Sequence, residues 1–468
     1  MGLSIGLDTA VKALRAHQLA VDVASHNIAN AHSPGFSRQR VLLRPIGLDG
    51  SDHFTRDALL GRAGFGVDAS DVNRVRDIFL DFQLRQSLGA EYQYQAQAGV
   101  LARAEFSFND PTDGGMSGLL AKFWNAWHDV VNDPEGSPAR TTLVHSTNTL
   151  TARIRQANME LTTQRDNLNG QVAAIADRIN AAATEIGQLN LQIKKVELNG
   201  DMANDLRDRR DFLLDDLAKI SNISYSEQGD TTVLVYLGNH ELVVQSEVRT
   251  VRAENDPANP GMNRLAFNVD DALVQTTAGE LRGILDARDV DLPNLMAELD
   301  TFAQGLITQI NAVHQTGFGL DNSTGLDFLT GTGAADIDLN VVLAGNPSQI
   351  ASASAADLPG DSSVALAIAN LQLASTMAGG TQTFDAYYGN MVSVLGADTS
   401  RAQGLEQSAR LLNSHLEGMR QSVAGVNLDE EMTNLAAAQH AYNAAARTIT
   451  TIDEMLEQLI MRTGVVGR

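Results

Sequence analysis

Apolar residues recur at every seventh position near both ends of the chain. Near the N-terminus the repeat consists of Leu7, Leu14, Val21 and Ile28. Near the C-terminus it consists of Leu435, Tyr442, Ile449 and Leu456. A seven-residue apolar repeat is typical of helices that pack side by side. We therefore predict a coiled-coil helix over residues 1–33 that pairs with a second one over residues 428–468.

Neither terminal helix carries enough apolar surface to fold alone. Four or five buried side chains contribute about 1.5–3 kcal/mol each. Ordering about 30 residues costs about 1–2 kcal/mol per residue. Because the cost exceeds the gain severalfold, each helix needs a partner, either the other helix or a neighbouring copy of the chain. Ordinary bundle core is the alternative explanation of the same repeat.

Helical periodicity also fills most of the interior. At Ile223 it changes to the alternation of strands, with a tight hairpin at Gly238-Asn239. We predict a mainly α protein with an inserted β-rich region, built as an elongated rod-like molecule with its paired terminal helices at one end. The predicted interior segments are a helical body over 34–222, 290–316 and 362–425, a β-rich domain over 223–289, and a small loop- and β-rich region over 317–361.

Charge and composition exclude several classes of function. The 468 residues include 57 acidic and 34 basic side chains, for a net charge of -23, and no cysteine. An acidic chain is repelled by nucleic-acid phosphates and anionic lipids, so we predict neither a nucleic-acid nor a membrane partner. The absence of cysteine excludes disulfides and thiolate metal sites. The first residues lack the continuous apolar core of a cleaved secretory signal.

A search for catalytic and ligand-binding patterns is negative. The loop GTGAAD at Gly331 lacks the lysine of a phosphate-binding loop. Asp321 and Asp327 miss the spacing of a calcium loop. The adjacent carboxylates Asp215-Asp216 and Glu430-Glu431 point in different directions along predicted helices, and we interpret them as solvated faces and first-turn charges. We predict no catalytic residue, no metal ligand, no cofactor and no enzymatic activity.

A short motif follows the N-terminal repeat. Asn27 and Asn30 bracket the tetrapeptide NIAN, and Pro34, Gly35 and Phe36 follow in SPGF. Proline and glycine end helices and form turns, so we interpret the motif as a helix end followed by a turn. A ligand site is the alternative interpretation.

The segment ALRAHQLAVDVASHNIANAHSPGFSRQRVLL, from Ala13, resembles the opening segment of bacterial flagellar axial proteins, which form the rod, the hook and the hook-associated parts of the flagellum. Phe36 stands where many relatives have tyrosine, and His26 where many have asparagine. Three further blocks are similar to the members found at the junction of hook and filament. These blocks are NDLRDRRDFLLDDLAKI, the stretch from Gly279 to Asp321, and the ending from Val426.

The resemblance implies a structural subunit that joins hook to filament. Relatives leave the cell through the flagellar type III apparatus without cleavage and form a ring on the hook, with their terminal helices in an inner tube. The implied partners are other copies of the chain, the hook protein, a second junction protein or the filament, and an export chaperone on the C-terminal helix. We expect the eight repeat residues to form the subunit-packing interface.

Two other functions remain open at this stage. The chain could be a hook or distal-rod axial protein, although the long helical block over 139–222 suits a junction protein better. In a different class, it could be a flagellum-borne hydrolase with an unrecognised site.

Overall fold

The computed structural model describes residues 2–46, 66–108 and 114–463. The end of the predicted C-terminal segment, 464–468, lies outside these residues. The helices are α1 (Gly2–Asn30), α2 (Ile78–Phe106), α3 (Met116–Asn132), α4 (Ser137–Glu197), α5 (Asn204–Ile220), α6 (Glu280–Asp286), α7 (Leu292–His314), α8 (Val341–Gly345), α9 (Ser363–Ala369), α10 (Phe384–Ala424) and α11 (Leu428–Thr463). The strands are β1 (Gln39–Pro45), β2 (Val67–Arg74), β3 (Ile223–Glu227), β4 (Val233–Leu237), β5 (His240–Val244), β6 (Glu247–Val248), β7 (Val251–Asn255), β8 (Asn263–Phe267), β9 (Leu329–Thr330) and β10 (Asp338–Leu339).

The architecture is mainly helical with small antiparallel sheets, as predicted, and α1 packs against α11. The accessible surface of the chain is 24373 Å². A compact monomer of 50.1 kDa would expose about 17,000 Å². The chain thus exposes more surface than a compact monomer of its mass.

The 61-residue helix α4 organises the body. Its N-terminal half packs against α3, whose Trp124 and Trp127 are fully buried. In its C-terminal half Ile179, Ile186 and Ile193 recur at every seventh position and are buried, and this half packs against α5 and the sheets. The repeat therefore predicts the buried face correctly without specifying what covers it.

The β region contains a four-stranded sheet in the order β3-β4-β5-β6 and a β7-β8 ribbon. The hairpin between β4 and β5 turns at Gly238, whose φ is +59°. A Cβ there would lie 2.4 Å from the carbonyl oxygen of Gln275, so only glycine fits.

Two predicted boundaries differ from the structure. Helix returns at Glu280 rather than at 290, because α6 continues through a π-helical turn (Ala287–Asp291) into α7. Pro293 suggests a helix start, but here the π turn carries the helix past its missing N–H. The helical body over 34–222 opens with an antiparallel ribbon of β1 and β2. Because the sequence of β2 (VDASDVNR) is mostly polar, it did not predict a strand.

The region over 317–361 has little regular structure but is firmly anchored. Phe328, Ile337 and Ile350 are fully buried in the main core. The buried guanidinium of Arg140 donates to the carbonyl oxygen of Ile350 at 2.5 Å and to the hydroxyl of Ser352 at 2.7 Å. Burial lowers the pKa of Arg140 to about 10. Hydrogen bonds from α4 thus hold this irregular segment in place.

His314, at the end of α7, joins the same segment from the other side. Its Nδ1 lies 2.7 Å from the carbonyl oxygen of Leu326, and its Nε2 lies 3.0 Å from the backbone nitrogen of Ala351. The carbonyl requires a proton on Nδ1 and the amide requires a lone pair on Nε2, so the ring is neutral. Burial lowers the pKa of His314 to about 4.

Acid should therefore weaken this core. Between pH 6.5 and pH 4 the unfolded chain binds a proton at His314 that the folded chain does not, so stability falls as the pH falls. From pH 7 to pH 5 the loss is about 2 kcal/mol. Tryptophan fluorescence during urea unfolding measures it, since the Trp127 ring packs 4.9 Å from Phe328 and the His314 ring 5.4 Å from it. His314→Gln should flatten the pH dependence and His145→Asn, at an exposed position, should not. If the free energy of unfolding of His314→Gln depended on pH as steeply as that of the unaltered protein, the assignment of the pH dependence to His314 would be contradicted.

Candidate functional site

The terminal helices form an antiparallel pair. The side chain of Asn27, near the end of α1, donates to Glu431 in the first turn of α11 at 3.0 Å. At the other end of the pair, a Cβ on Gly6 would lie 3.4 Å from Cδ1 of Ile452. The carboxamide of Asn427 caps α11 by accepting from the backbone nitrogen of Asp429 at 3.0 Å.

Alanine supplies the buried apolar side chains of the two terminal helices, within the residues that the structure describes. These side chains are Ala10, Ala16, Ala24, Ala438 and Ala445. Small side chains let two helices approach closely but remove little apolar surface from water. The pair is therefore close-fitting and weakly stabilised.

The eight predicted packing residues lie beside this alanine contact. Leu7, Leu14, Val21, Ile28, Leu435, Tyr442, Ile449 and Leu456 are all half-buried. Further apolar side chains on α11 are more exposed, with Met432 at 57% and Ile460 at 74%. The pair thus keeps a margin of large apolar side chains that are covered only in part.

Asn27 connects three elements. Its amide nitrogen donates to the carbonyl oxygen of Gln39 at 2.9 Å as well as to Glu431, and its oxygen accepts from the backbone nitrogen of Gln39 at 2.9 Å. The side chain is 1% exposed. Because an unpaired buried amide would be costly, this arrangement fixes α1, β1 and α11 relative to one another.

The rest of the motif ends α1 and turns the chain. Asn30 donates to the carbonyl oxygen of His26 at 3.1 Å and accepts from Ser33 at 3.1 Å. Gly35 has a φ of +78°, and a Cβ there would lie 3.1 Å from Cβ of Phe212 in α5. The exposed Pro34 and the half-buried Phe36 flank it, and the Phe36 ring lies 5.4 Å from that of His26.

A cavity of about 310 Å³ lies between this turn, α5 and α10. The charged side chains that line it already have partners, since Arg420 donates to Asp215 at 2.7 Å and Arg76 to Asp211 at 2.9 Å. The motif residues end α1 and contact β1, α11 and α5.

Arg38 follows the turn and clamps the start of α11. Its guanidinium lies 2.7 Å from a Glu430 oxygen and 2.8 Å from a Glu431 oxygen. The hydrogen bond from Arg38 lowers the pKa of Glu430. The sequence-based interpretation of Glu430-Glu431 as solvated first-turn charges is therefore wrong for Glu431, which is 3% exposed and bonded to both Arg38 and Asn27.

One face of α5 forms the joint between the terminal pair and the body. Asn204, Asp208, Asp211 and Asp215 follow at steps of four, three and four, so they share one side of the helix. Asp208 accepts from the backbone nitrogen and the hydroxyl of Ser37, at 2.8 and 2.7 Å. Asn204 donates to the carbonyl oxygen of Val72 in β2 at 2.6 Å.

Four arginines from three other parts of the chain complete this joint. Arg74 at the end of β2 lies 2.8 Å from both Asp208 and Asp211. Arg85 on α2 donates to Asp215 at 2.6 Å, and the residues that complete the set are Arg76 before α2 and Arg420 on α10. Asp215 is thus mostly buried between two arginines, which corrects its interpretation as part of a solvated face.

Burial and charge compete within the joint. Burial alone would raise the pKa of Asp211, but the charges of Arg76, Arg85 and Arg74 outweigh it and leave the pKa well below its usual range. At Asp208 burial dominates over Arg74 and raises the pKa. The alternating charges hold the ribbon, α2 and α10 on one helix, so the joint is a structural device.

Within the described ranges, no group of three or more histidine, aspartate or glutamate side chains is placed to hold a metal ion. No helix in those ranges is both long enough and apolar enough to cross a membrane.

Three parts of the chain match models of known families. Residues 101–329 match the model described as the flagellar hook-associated protein FlgK helical domain. Residues 7–36 match a flagella basal body rod protein model, and residues 420–462 match a flagellar basal body rod FlgEFG protein C-terminal model. The terminal matches cover the helix pair and its turn.

Individual relatives match over nearly the whole chain. Flagellar hook-associated protein 1 of Bacillus subtilis (strain 168) is 28% identical, with 99% of each chain covered. The protein of the same name from Salmonella typhimurium is 26% identical, over 97% of this chain and 99% of its own. The structure of the flagellar hook junction protein FlgK from Burkholderia pseudomallei shares the fold, with a TM-score of 0.64 at 14% identity over 73% of this chain and 100% of its own.

The paired terminal helices on a long helical body, with these matches, define a structural protein of the bacterial flagellum and not an enzyme. The helical-domain match separates it from rod and hook subunits. The chain belongs to the flagellar hook-associated protein 1 family, the structural proteins of the hook–filament junction.

The joint on α5 predicts a large difference between two neighbouring positions. Asp211→Asn leaves three buried arginines without a shared anion and should lower the free energy of unfolding by about 3 kcal/mol. Asp216→Asn removes only a part-exposed pair with Lys219, at 2.7 Å, and should cost less than about 0.5 kcal/mol. Chemical denaturation at pH 7 measures both.

The effect of Asp211→Asn should also depend on pH. Because the pKa of Asp211 is lowered in the folded chain, its contribution is fully present above its unfolded pKa of about 3.9 and is lost as the pH falls through the folded value. The deficit of the variant should therefore hold from pH 7 to about pH 4 and shrink below that. Equal costs for Asp211→Asn and Asp216→Asn would refute the role of the joint.

Proposed function

We propose that this chain joins the hook to the filament by assembling into a ring of copies through its terminal helix pair. The observation that carries the proposal is the distribution of burial in that pair. In the described part of the pair the buried apolar side chains are alanines, while the eight large repeat residues stay half-buried. A stable single chain would place its large apolar side chains in its own core.

Neighbouring copies supply the missing cover. Each terminal pair presents the same apolar margin, so pairs arranged around an axis can bury the margins of one another. Burying the rest of a leucine or isoleucine side chain contributes on the order of 1 kcal/mol, and eight such positions per copy repeat around the ring. The terminal segments, 1–33 and 428–468, would act as the polymerising unit, and the segments between them would form the outer body.

The joint on α5 gives this unit a defined direction relative to the body. Ser37, just after the turn that follows α1, donates a hydrogen bond to Asp208, and Arg74 forms an ion pair with the same carboxylate. Arg420 on α10 forms an ion pair with Asp215. A ring requires every body to leave its terminal pair at the same angle. The charged joint supports that requirement because it bonds the β1–β2 ribbon, α2 and α10 to α5.

The partners follow from the place of such a ring. It would contact the hook protein on one side and a second junction protein or the filament on the other. Before assembly, the exposed apolar side chains of α11 need cover, which an export chaperone bound to the C-terminal helix would provide. The protein would act outside the cell, after passage through the flagellar type III apparatus without a cleaved signal. Family membership supports each of these assignments.

A charge placed in the apolar margin should block assembly without unfolding the body. Leu435→Asp puts a carboxylate among side chains that neighbouring copies would bury, and incorporation into flagella should fall at least ten-fold. Asn443→Asp adds the same charge at an exposed position of α11 and should assemble normally. Electron microscopy of labelled flagella and motility assays measure incorporation, and circular dichroism checks that both variants fold. Normal hook–filament junctions built from the Leu435→Asp variant would refute the proposal.

A further inference from the structure

The sequence contains two Asn-Gly pairs, Asn169-Gly170 and Asn199-Gly200. In such a pair the backbone nitrogen of the glycine can close a five-membered ring on the carboxamide carbon of the asparagine. Glycine carries no Cβ that would hinder this approach. Because the two groups belong to one chain, the reaction needs no partner, and the local geometry sets its rate. The structure places the two pairs in opposite settings.

The first pair is locked inside α4. The side-chain oxygen of Asn169 accepts from the backbone nitrogen of Asn263 at 2.6 Å and from Arg288 at 3.1 Å. Its side-chain nitrogen donates to the carbonyl oxygen of Gly261 at 3.2 Å. Gly170 stands in mid-helix, where a backbone nitrogen donates to the carbonyl four residues earlier. Ring closure would break these bonds and disrupt the longest helix, so the folded chain protects Asn169.

The second pair lies in the exposed turn that follows α4. Gly200 has a φ of +86°, and a Cβ there would meet nothing within 4 Å. Asn199 donates to the carbonyl oxygen of Lys195 at 3.2 Å, and the Gly200 nitrogen donates to that of Glu197 at 3.1 Å. Both bonds belong to the end of the helix, where opening costs little free energy. The Gly200 nitrogen can therefore reach the carboxamide of Asn199 without disturbing the core.

We propose that Asn199 is a site of spontaneous deamidation in the folded protein. The Gly200 nitrogen gives up its proton to the solvent and bonds to Cγ of Asn199. The Cγ–Nδ2 bond breaks, and the departing nitrogen takes up a proton from the solvent and leaves as ammonia. Water then opens the cyclic imide at either of its two carbonyl carbons, which gives aspartate or isoaspartate. Nothing is oxidised or reduced, and water is the co-reactant.

The product carries a new negative charge at the C-terminal end of α4. An ion pair holds α4 and α5 together across this turn, because Glu197 accepts from Arg207 at 2.6 and 2.8 Å through its two carboxylate oxygens. Both side chains of the ion pair are mostly buried. The modification should therefore change the charge and the backbone of the turn while the rest of the fold is kept.

Peptide mass spectrometry on the aged protein tests the proposal. The folded full-length chain is incubated at neutral pH, and the replacement of carboxamide by carboxylate is followed at both pairs. Asn199 should react at least about ten-fold faster than Asn169, since the centre of α4 opens far less often than its end. In concentrated guanidinium chloride the two pairs should react at similar rates, because the fold no longer separates them.

Two variants separate the chemistry from its consequence. Asn199→Gln keeps the carboxamide but requires a larger ring, so this position should react at least about ten-fold more slowly. Asn199→Asp mimics one product and should keep the circular dichroism spectrum of the unaltered protein.

Equal rates at Asn199 and Asn169 in the folded chain would overturn the proposal. So would an unmodified Asn199 after a period in which the denatured chain has reacted, or a glutamine at this position that reacts as fast as the asparagine. Unfolding of Asn199→Asp would overturn the inference that the change stays within the turn.

Discussion

The stability of the terminal pair is limited by the small size of the apolar side chains buried in it. Ala10, Ala24, Ala438 and Ala445 let α1 and α11 lie close together, but burying alanine contributes little free energy. The larger side chains are displaced to the margin, where one chain covers them only in part. A helix pair built in this way is specific in its geometry and incomplete in its stability, which is what a polymerising element requires.

Polar contacts supply the geometry that this weak core cannot impose. Asn27 and Arg38 both bond Glu431, so the start of α11 has one position relative to the end of α1. On α5, Asp208 and Asp211 bond the ribbon that follows the motif. Buried charge networks contribute little net stability but make wrong arrangements costly, because any displaced partner leaves an unpaired charge. The angle between terminal pair and body is thereby defined before any neighbour arrives.

Features that depend on near neighbours in the chain could be predicted from the sequence. The repeats at both ends and the Gly238 hairpin each involve residues within a few positions of one another, and the structure contains the predicted helices and hairpin. The π-helical turn before Pro293 is also local. It could not be predicted because a proline normally indicates the start of a helix and not its continuation. The terminal repeats indicated the correct helices, yet the buried apolar positions in their described part are alanines, and the predicted leucines are only half-buried.

Contacts between residues that are far apart in the sequence could not be predicted in this way. Asp215 looks like one of two solvated carboxylates because its partners Arg85 and Arg420 are 130 and 205 positions away. Glu431 meets Asn27 across 404 positions. The sequence did contain one signal, a polar stripe along one face of α5 formed by Asn204, Asp208, Asp211 and Asp215. That spacing does not indicate which arginines bind the stripe. Strand β2 was hidden because its pairing with β1, and not its own composition, makes it a strand.

Amide hydrogen exchange on the isolated chain and on assembled flagella tests the central claim most directly. If the terminal pair is incomplete in one copy, α1 and α11 should exchange at least a hundred-fold faster than the buried core of α4 in dilute solution. They should then become as protected as α4 after assembly. Equal protection of α1, α11 and α4 in the isolated chain, with no change on assembly, would contradict the account.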